Sequence, residues 1–369
     1  MADGMNKPAI RFAGFTDAWE QRKLGDVLQT LPFKVYLKSP EQDGEFEIIQ
    51  QGNTPIIGYA NGEPCKDYED TVIFGDHTLS LYKPKSPFFV ATDGVRIVKG
   101  FDNMDGNYLL PLLERNKPQS EGYKRYYSIL ADIDVFFTEN HEEQSKIGEY
   151  FSDIDNLITL HQREYAKLVN IKASMLEKMF PKDGSAYPEV RFAGFTDAWE
   201  QRKVQDVADR FDNLRIPVAA NLRVHGTTPY YGANGIQDYV EGFTHDGEFV
   251  LVAEDGANDL KNYPVKCVNG RIWVNNHAHV LQGKAGIGDN SFLAFAISQS
   301  DIESLLVGGG RAKLNAETLM SIEFRLPCLQ EQYRIGEYLT QLDHLITLHQ
   351  RKLEKLQNIK KSMLEKMFV

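Results

Sequence analysis

The sequence of 369 residues has few cysteines and no long apolar run. Its three cysteines, Cys65, Cys267 and Cys328, are odd in number and form no CxxC pair. This pattern predicts neither a disulfide framework nor a zinc site and is typical of a reducing compartment. No stretch approaches the ~18 consecutive apolar residues of a membrane span, and the first residues lack the apolar region of a signal peptide. We therefore expect a cytoplasmic protein.

Basic charge is also not in excess. The chain has 41 Lys and Arg against 52 Asp and Glu, which gives a net charge of −11. A protein that binds nucleic acid indiscriminately usually has a basic domain, so this composition argues against that class. Any binding to DNA must depend on local basic clusters or on partner chains that supply positive charge.

Catalytic motifs are missing as well. The sequence has no GxxxxGK[ST] phosphate loop, and no Gly-rich cofactor loop with the Asn/Asp-Pro-Pro-aromatic tetrapeptide of an amino-methyltransferase. The HAH at 277–279 and the acidic AEDGAND at 253–259 could hold a metal, but a half-buried strand and a solvated turn explain them better. We predict no catalytic residue, no metal and no cofactor in this chain.

A long helical stretch occurs twice. IGEYFSDIDNLITLHQREYAKLVNIKASMLEKMF at 147–180 returns at 335–368 as IGEYLTQLDHLITLHQRKLEKLQNIKKSMLEKMF, with 24 of 34 aligned positions identical. Neither copy contains proline, which favours an uninterrupted helix. In both copies apolar positions recur in steps of four and three, with a histidine and a lysine in the series (His161 and Lys172, then His349 and Lys360). This 3.5-residue spacing is the seam of a coiled coil.

Because each seam needs a matching surface, we predict that the two helices pair with each other, most simply antiparallel. Two separate amphipathic helices, each packed on its own domain, are the alternative. The predicted interface positions are Ile147, Phe151, Ile154, Ile158, Tyr165, Leu168 and Met175 in the first helix, with Ile335, Leu339, Leu342, Ile346, Leu353, Leu356 and Met363 in the second.

A second repeat shows that the chain is a tandem duplication. RFAGFTDAWEQRK, which we call the repeat segment, stands at 11–23 and again at 191–203. It predicts an α+β fold in which two mixed α/β domains are joined by the two long helices. The predicted boundaries are 1–142 for the first repeat segment and domain, 143–180 for the first helix, 181–326 for the linker, second repeat segment and second domain, and 327–369 for the second helix.

The regions between the repeats have diverged, and their loops offer recognition chemistry. The Tyr-Ala-Asn-Gly and Tyr-Tyr-Gly-Ala-Asn-Gly loops combine rings and an amide that could contact DNA, although Asn-Gly alone is a strong hairpin-turn signal. Basic clusters are candidate phosphate or guanine contacts, although each is more often a solvated surface charge. The candidate DNA-binding residues are Tyr59, Asn61, Lys83, Lys85, Arg96, Lys124 and Arg125 in the first domain, and Tyr230, Tyr231, Asn234, Lys261, Arg271, Asn275, Asn276, Arg311 and Lys313 in the second.

The duplicated layout, the repeat segment, the long-helix sequence and the GGGRAKLNAETLMSIEFRLPCLQEQ run at 308–332 together resemble the specificity subunits of type I restriction-modification systems. This resemblance covers essentially the whole chain. It implies two target recognition domains that each read one half of a bipartite double-stranded DNA sequence, and paired helices that act as a spacer.

The same resemblance implies partners. Two modification subunits would dock on the helices and methylate adenine with S-adenosylmethionine, and restriction subunits would add translocation and cleavage with ATP and Mg²⁺. This chain would be the non-catalytic specificity subunit. The competing class is an adaptor with two globular heads that does not bind DNA, for which no basic surface shared by the two domains is expected.

Overall fold

The computed structural model describes residues 6–182, 184–308 and 312–369. The chain forms two compact units. One comprises the chain through Arg163 together with Gln350–Val369, and the other is Glu164–His349. Each unit therefore contains one domain, the beginning of the helix that follows this domain, and the end of the other long helix.

The first unit is a mixed α/β structure. Its strands are β1 (Glu20–Lys23), β2 (Leu28–Leu31), β3 (Phe46–Ile49), β4 (Ile56–Ala60), β5 (Thr71–Gly75), β6 (Leu81–Tyr82), β7 (Phe88–Val90), β8 (Val95–Gly100) and β9 (Asp134–Phe137). Its helices are α1 (Leu24–Val27), α2 (Gly106–Asn116), α3 (Tyr127–Ala131) and the start of the long helix α4 (His141–Lys178). The strands form three sheets, in the orders β2-β8-β5-β6, β4-β3-β7 and β1-β9.

The second unit repeats this plan with longer strands. They are β10 (Glu200–Lys203), β11 (Ala208–Arg210), β12 (His225–Gly232), β13 (Gly235–Val240), β14 (His245–Ala253), β15 (Val265–Val274), β16 (Ala278–Gly283) and β17 (Glu323–Leu326). The helices are α5 (Val204–Val207), α6 (Asn290–Ser298), α7 (Ala316–Ser321) and the start of α8 (Leu329–Met367). Six strands form one sheet in the order β11-β16-β14-β15-β12-β13, and β10 pairs with β17.

The repeat segment holds each domain to its helices in the same way. Arg11 donates to both carboxylate oxygens of Glu143 at 2.5 and 2.8 Å, and Arg191 does the same to Glu331 at 2.7 and 2.8 Å. Both glutamates are fully buried, so this bidentate pairing is required to keep their charge inside. It accounts for an arginine at the same position in both copies.

The tryptophan of the repeat segment lies against the end of a long helix. Trp19 packs edge-on against Phe368, with ring centroids 5.8 Å apart, and Trp199 packs edge-on against Phe180 at 6.1 Å. Both tryptophans are almost fully buried. Aromatic rings of this size dominate the burial of apolar area in a core. Each domain therefore packs against the residue that follows the C-terminal end of a long helix, by one position at Phe368 and by two at Phe180.

The long helices pair antiparallel, as predicted. In the first unit Phe151 of α4 contacts Phe368, and Asp155, one turn later in α4, accepts a hydrogen bond from Lys360, two turns earlier in α8. Contacts that advance along α4 therefore go back along α8. In the second unit Lys172 forms an ion pair with Asp343 at 2.5 Å. The helix-pair positions closest to the domains are buried, namely Ile147, Phe151, Ile154, Ile335, Leu339 and Leu342. The remaining ones are half-buried, namely Ile158, Tyr165, Leu168, Met175, Ile346, Leu353, Leu356 and Met363.

The glycine near the start of each long helix marks a close approach. A Cβ at Gly148 would lie 2.8 Å from the backbone nitrogen of Tyr108 in α2, and one at Gly336 would lie 2.9 Å from that of Phe292 in α6. Only glycine lets the backbones come this near. The shared glycine therefore fixes where each domain's helix crosses the long helix.

Candidate nucleic-acid interface

A basic loop precedes the short helix α3 in the first domain and α7 in the second. In the first domain this loop follows α2 and is bonded to the end of strand β5, where Asp76 is buried. The Asp76 carbonyl accepts from the Tyr126 N–H at 2.8 Å, and its carboxylate accepts from the Tyr127 N–H at 2.9 Å. The same carboxylate pairs with Arg96 at 3.1 Å and lies 3.6 Å from Arg125. One buried acid thus fixes two of the predicted DNA-contacting arginines.

The second domain has an acid in the same role. The carbonyl of Glu254, which follows strand β14, accepts from the Leu314 N–H at 2.7 Å. Its carboxylate pairs with Lys313 at 2.8 Å and with Arg215 at 2.6 Å. Burial raises the pKa of Glu254, but the hydrogen bonds from Lys313 and Arg215 outweigh it and hold that pKa below the ordinary value. The acid is therefore ionised and holds the loop cation in place.

These contacts establish a correspondence between the two basic loops. Asp76 corresponds to Glu254, and Arg125 to Lys313. In each domain the acid's carboxylate pairs with the cation, and the acid's backbone carbonyl accepts a hydrogen bond from the N–H of the residue that follows the cation. The loop sequences, SEGYKR and GGGRAK, agree only in one glycine and in the cation that ends each of them. The structure thus presents a cation from the same place on each of the two domains, as expected of two domains that contact one kind of ligand.

A buried network supports the loop of the second domain from below. His279 lies 2.7 Å from Asp212 and 2.9 Å from the carbonyl of Leu314. Asp212 also accepts from the Val280 N–H at 2.8 Å. Burial raises the pKa of Asp212, but His279 and the Val280 N–H outweigh it, and the net pKa is lowered. His279 is therefore occupied by protein groups.

The other basic candidates of the first domain lie in different surroundings. Lys83 donates to the carbonyls of Tyr68 and Glu69, and burial lowers its pKa to about 8. Lys85 donates to Asn156 of α4 at 3.0 Å. Both lysines line a groove of about 990 Å³ beside α2 and α4, away from the Asp76 contacts. Lys124 pairs with Glu121 at 2.5 Å in the basic loop itself.

In both Asn-Gly loops the asparagine side chain is bonded to the protein backbone. Asn61 accepts from the Glu45 N–H and donates to the Asp43 carbonyl, whereas Tyr59 is half-exposed on β4. Asn234, between β12 and β13, donates to the Gly256 carbonyl and accepts from the Asn258 N–H, both at 2.9 Å. The hairpin-turn explanation, left open by the sequence, holds for Asn234, which lies in the turn between the paired strands β12 and β13. It does not hold for Asn61, because β4 pairs with the preceding strand β3 and Asn61 comes after β4.

Several candidates of the second domain are inside it. Tyr230 is 1% exposed and its hydroxyl is bonded to Val218, so it offers no surface to a ligand in this conformation. Tyr231 and Asn275 are also buried. Of the exposed candidates, Arg271 pairs with Asp246 at 3.2 Å, and Lys261 and Asn276 lie in loops. Arg311 lies outside the described residues.

Several residues with a part in these loops were not singled out from the sequence. Asp76 and Arg215 carry contacts between segments that are far apart in the chain, and nothing in their local sequence indicates this. Tyr123 and His77 form a stacked pair at the tip of the first loop. A ring in a glycine-containing basic loop was the one signal that could have identified Tyr123.

The described ranges hold neither a candidate metal cluster nor a candidate membrane-spanning helix. No group of three or more His, Cys, Asp or Glu side chains there is arranged to hold a metal ion. In the same ranges no helix has the length and apolar character needed to cross a membrane.

Comparisons with known proteins agree on one class. Residues 196–358 match the family described as the type I restriction modification DNA specificity domain. A putative type I restriction enzyme specificity subunit of Haemophilus influenzae is 44% identical over 146 residues, which is 40% of this chain and 38% of that protein. The chain thus spans less than half the length of this relative.

Two further comparisons extend over nearly the whole chain. The MjaVIII specificity subunit of Methanocaldococcus jannaschii is 21% identical over 94% of this chain and 91% of that protein. The crystal structure of a type I restriction-modification S subunit from M. genitalium shares the fold, with a TM-score of 0.75 at 14% identity over 98% of this chain and 99% of that one. The comparisons confirm the resemblance to specificity subunits of type I restriction-modification systems.

Proposed function

We propose that this chain is the DNA-recognition subunit of a type I restriction-modification complex and that each of its domains reads one half of a bipartite target. The observation that carries this proposal is the shared construction of the basic loops, Asp76 with Arg125 and Glu254 with Lys313, on a duplicated frame. Because the two domains share a duplicated framework, their basic loops lie at equivalent places. Because the loop sequences differ, each domain would read its own half-site. An adaptor that does not bind DNA has no need of equivalent cations.

The paired helices would set the gap between the half-sites. A helix of 38 residues, the length of α4, extends about 57 Å at ~1.5 Å per residue. Half-sites read from one face of DNA lie about one helical turn, ~34 Å, apart. An antiparallel pair of this length would be long enough to span that distance.

The chain would be non-catalytic and would work with modification subunits. Outside the seam, the first unit exposes Leu157 and Leu160, and the second exposes Leu345 and Leu348. These are the same positions of the duplicated helix. Two equal apolar pairs suit two copies of one partner. The S-adenosylmethionine would be bound by the modification subunits, and the ATP and Mg²⁺ by the restriction subunits. The complex would act on DNA in the cytoplasm.

Mapping of DNA methylation tests this proposal. The chain is expressed with a candidate modification subunit in cells lacking other methyltransferases, and modified adenines are located by long-read sequencing. We expect a split motif with a fixed gap that disappears when this chain is left out. Modified adenines that stay the same without the chain would contradict it.

A further inference from the structure

The tip of the first basic loop carries an exposed aromatic ring in a fixed position. Tyr123 is 87% exposed, yet its ring stacks on that of His77, with centroids 4.5 Å apart and planes 8° from parallel. His77 is half-buried, and its ring Nδ1 lies 3.0 Å from the carbonyl of Lys124. The backbone N–H of His77 donates to the side-chain oxygen of Gln51. An exposed ring backed by a second, anchored ring loses little freedom when it meets a ligand.

The loop beneath this ring is braced on both sides. The hydroxyl of the buried Tyr126 accepts from the Glu121 N–H and donates to the Gly122 carbonyl, both at 2.7 Å. Gly122 has a φ of +98°, which lets the chain turn sharply just before Tyr123. Asp76 holds the other end through its bond from Tyr127. Tyr123 is therefore presented outward by a loop whose two ends are both tied to the domain.

The charges around Tyr123 cancel. Lys124 pairs with Glu121, Arg96 with Asp76, and Arg125 lies within 3.6 Å of Asp76 and Asp93. Three cations thus face three carboxylates. A surface built mainly to grip phosphates needs uncompensated positive charge. The tip of this loop suits contact with bases better than contact with the backbone.

We propose that Tyr123 reads a base pair in the half-site of the first recognition domain, and that His77 is the positioning residue that holds its ring. The ligand is the base edges of double-stranded DNA, to which a phenol offers one donor, one acceptor and an apolar face for the methyl group of thymine. This inference rests on the proposed function and assigns part of the target specificity to one side chain.

The test compares four variants of the complex on a DNA library randomised in both half-sites: Tyr123→Ala, Tyr123→Phe, His77→Ala and, as a matched exposed tyrosine in the linker, Tyr187→Ala. We expect Tyr123→Ala to reduce the preference for the correct base about ten- to a hundredfold, at one or two base pairs of one half-site only. A reduction of this size is what the loss of a single base contact causes. His77→Ala should lose a smaller part at the same base pairs, and Tyr187→Ala none. The slope of log affinity against log salt should stay unchanged in all four.

Each other result has a definite meaning. Full selectivity in Tyr123→Ala overturns the inference and leaves the proposed function standing, provided that the wild-type complex selects a bipartite site in the same library. An equal loss of affinity for all sequences with a shallower salt slope identifies a phosphate contact and overturns base reading. A wild-type complex that selects no sequence refutes the proposed function, and the inference with it.

Discussion

Replacing Lys360 by methionine should destabilise the first unit far more than the equivalent change at Lys172 destabilises the second. The two lysines occupy the same position of the duplicated helix, but their surroundings differ. Lys360 lies 2.8 Å from Glu114 and 2.9 Å from Asp155, with only 16% of its side chain exposed. Lys172 pairs with Asp343, whose side chain is 44% exposed.

The magnitude follows from burial. Removing one partner of a buried ion pair costs about 3 kcal/mol because the other charge is left uncompensated. For a unit of this size each kcal/mol lowers the melting temperature by ~2–4 °C, so Lys360→Met should lower it by ~6–12 °C. An exposed pair contributes at most ~1 kcal/mol, and Lys172→Met should lower it by a few degrees.

The effect should also depend on pH. Burial raises the pKa of Glu114, and Lys360 opposes this rise. Without Lys360 the pKa of Glu114 rises further, so the folded chain takes up a proton before the unfolded chain does. The stability deficit of Lys360→Met should therefore be largest near pH 7.5 and shrink as the pH falls towards 5. Calorimetry of both variants at the two pH values measures this. Equal deficits for Lys360→Met and Lys172→Met, or a deficit that does not change with pH, would refute the reasoning.

Three further predictions concern other contacts. Burial lowers the pKa of Lys83 to about 8, so the folded chain binds fewer protons than the unfolded chain between pH 8 and 10.5. The unfolding free energy of wild type should therefore increase relative to that of Lys83→Met as the pH rises through this window. Urea titrations measure this difference, and a difference that does not change with pH would contradict the prediction. Lys313→Ala should weaken binding of the complex to all DNA sequences and reduce the salt slope by about 1 if Lys313 contacts phosphate, whereas unchanged binding would remove it from the interface. Inserting seven residues into each long helix, at equivalent positions, keeps the seam and lengthens the helix pair by ~10 Å. The gap between the two half-sites of the methylated target should then grow by about three base pairs. Methylation only at the original spacing would refute the spacer role.

The features predicted best from the sequence are those with a period or a repeat. The seam positions depend only on spacing along one helix, and the pairing of α4 with α8 follows from a shared seam. Positions such as Phe151 and Leu339 are buried as expected. Apolar residues alternate with polar ones at 88–100 and 271–283, and these ranges contain β7 and β8, and the end of β15 with β16.

The candidate site was harder to predict because its contacts join distant segments. Asp76 acts through Tyr126, Tyr127 and Arg125, about 50 residues further along the chain. Its counterpart Glu254 acts through Lys313 and Leu314, about 60 residues further along. Burial of Tyr230 depends on how β12 pairs with β15, which no local pattern reveals. The same sequence signal, tyrosine beside Asn-Gly, thus accompanies a half-exposed Tyr59 in one domain and a buried Tyr230 in the other.

The central claim is that each recognition domain reads its own half-site. It is tested most directly by replacing residues 24–137 with a second copy of residues 204–326, which joins the copy to identical repeat segments and keeps both long helices. The chain then carries the same recognition domain twice, and methylation mapping with the modification subunit should find a target whose two halves are inverted copies of the second domain's half-site. A folded chimera that still directs methylation to the original asymmetric target would contradict the claim.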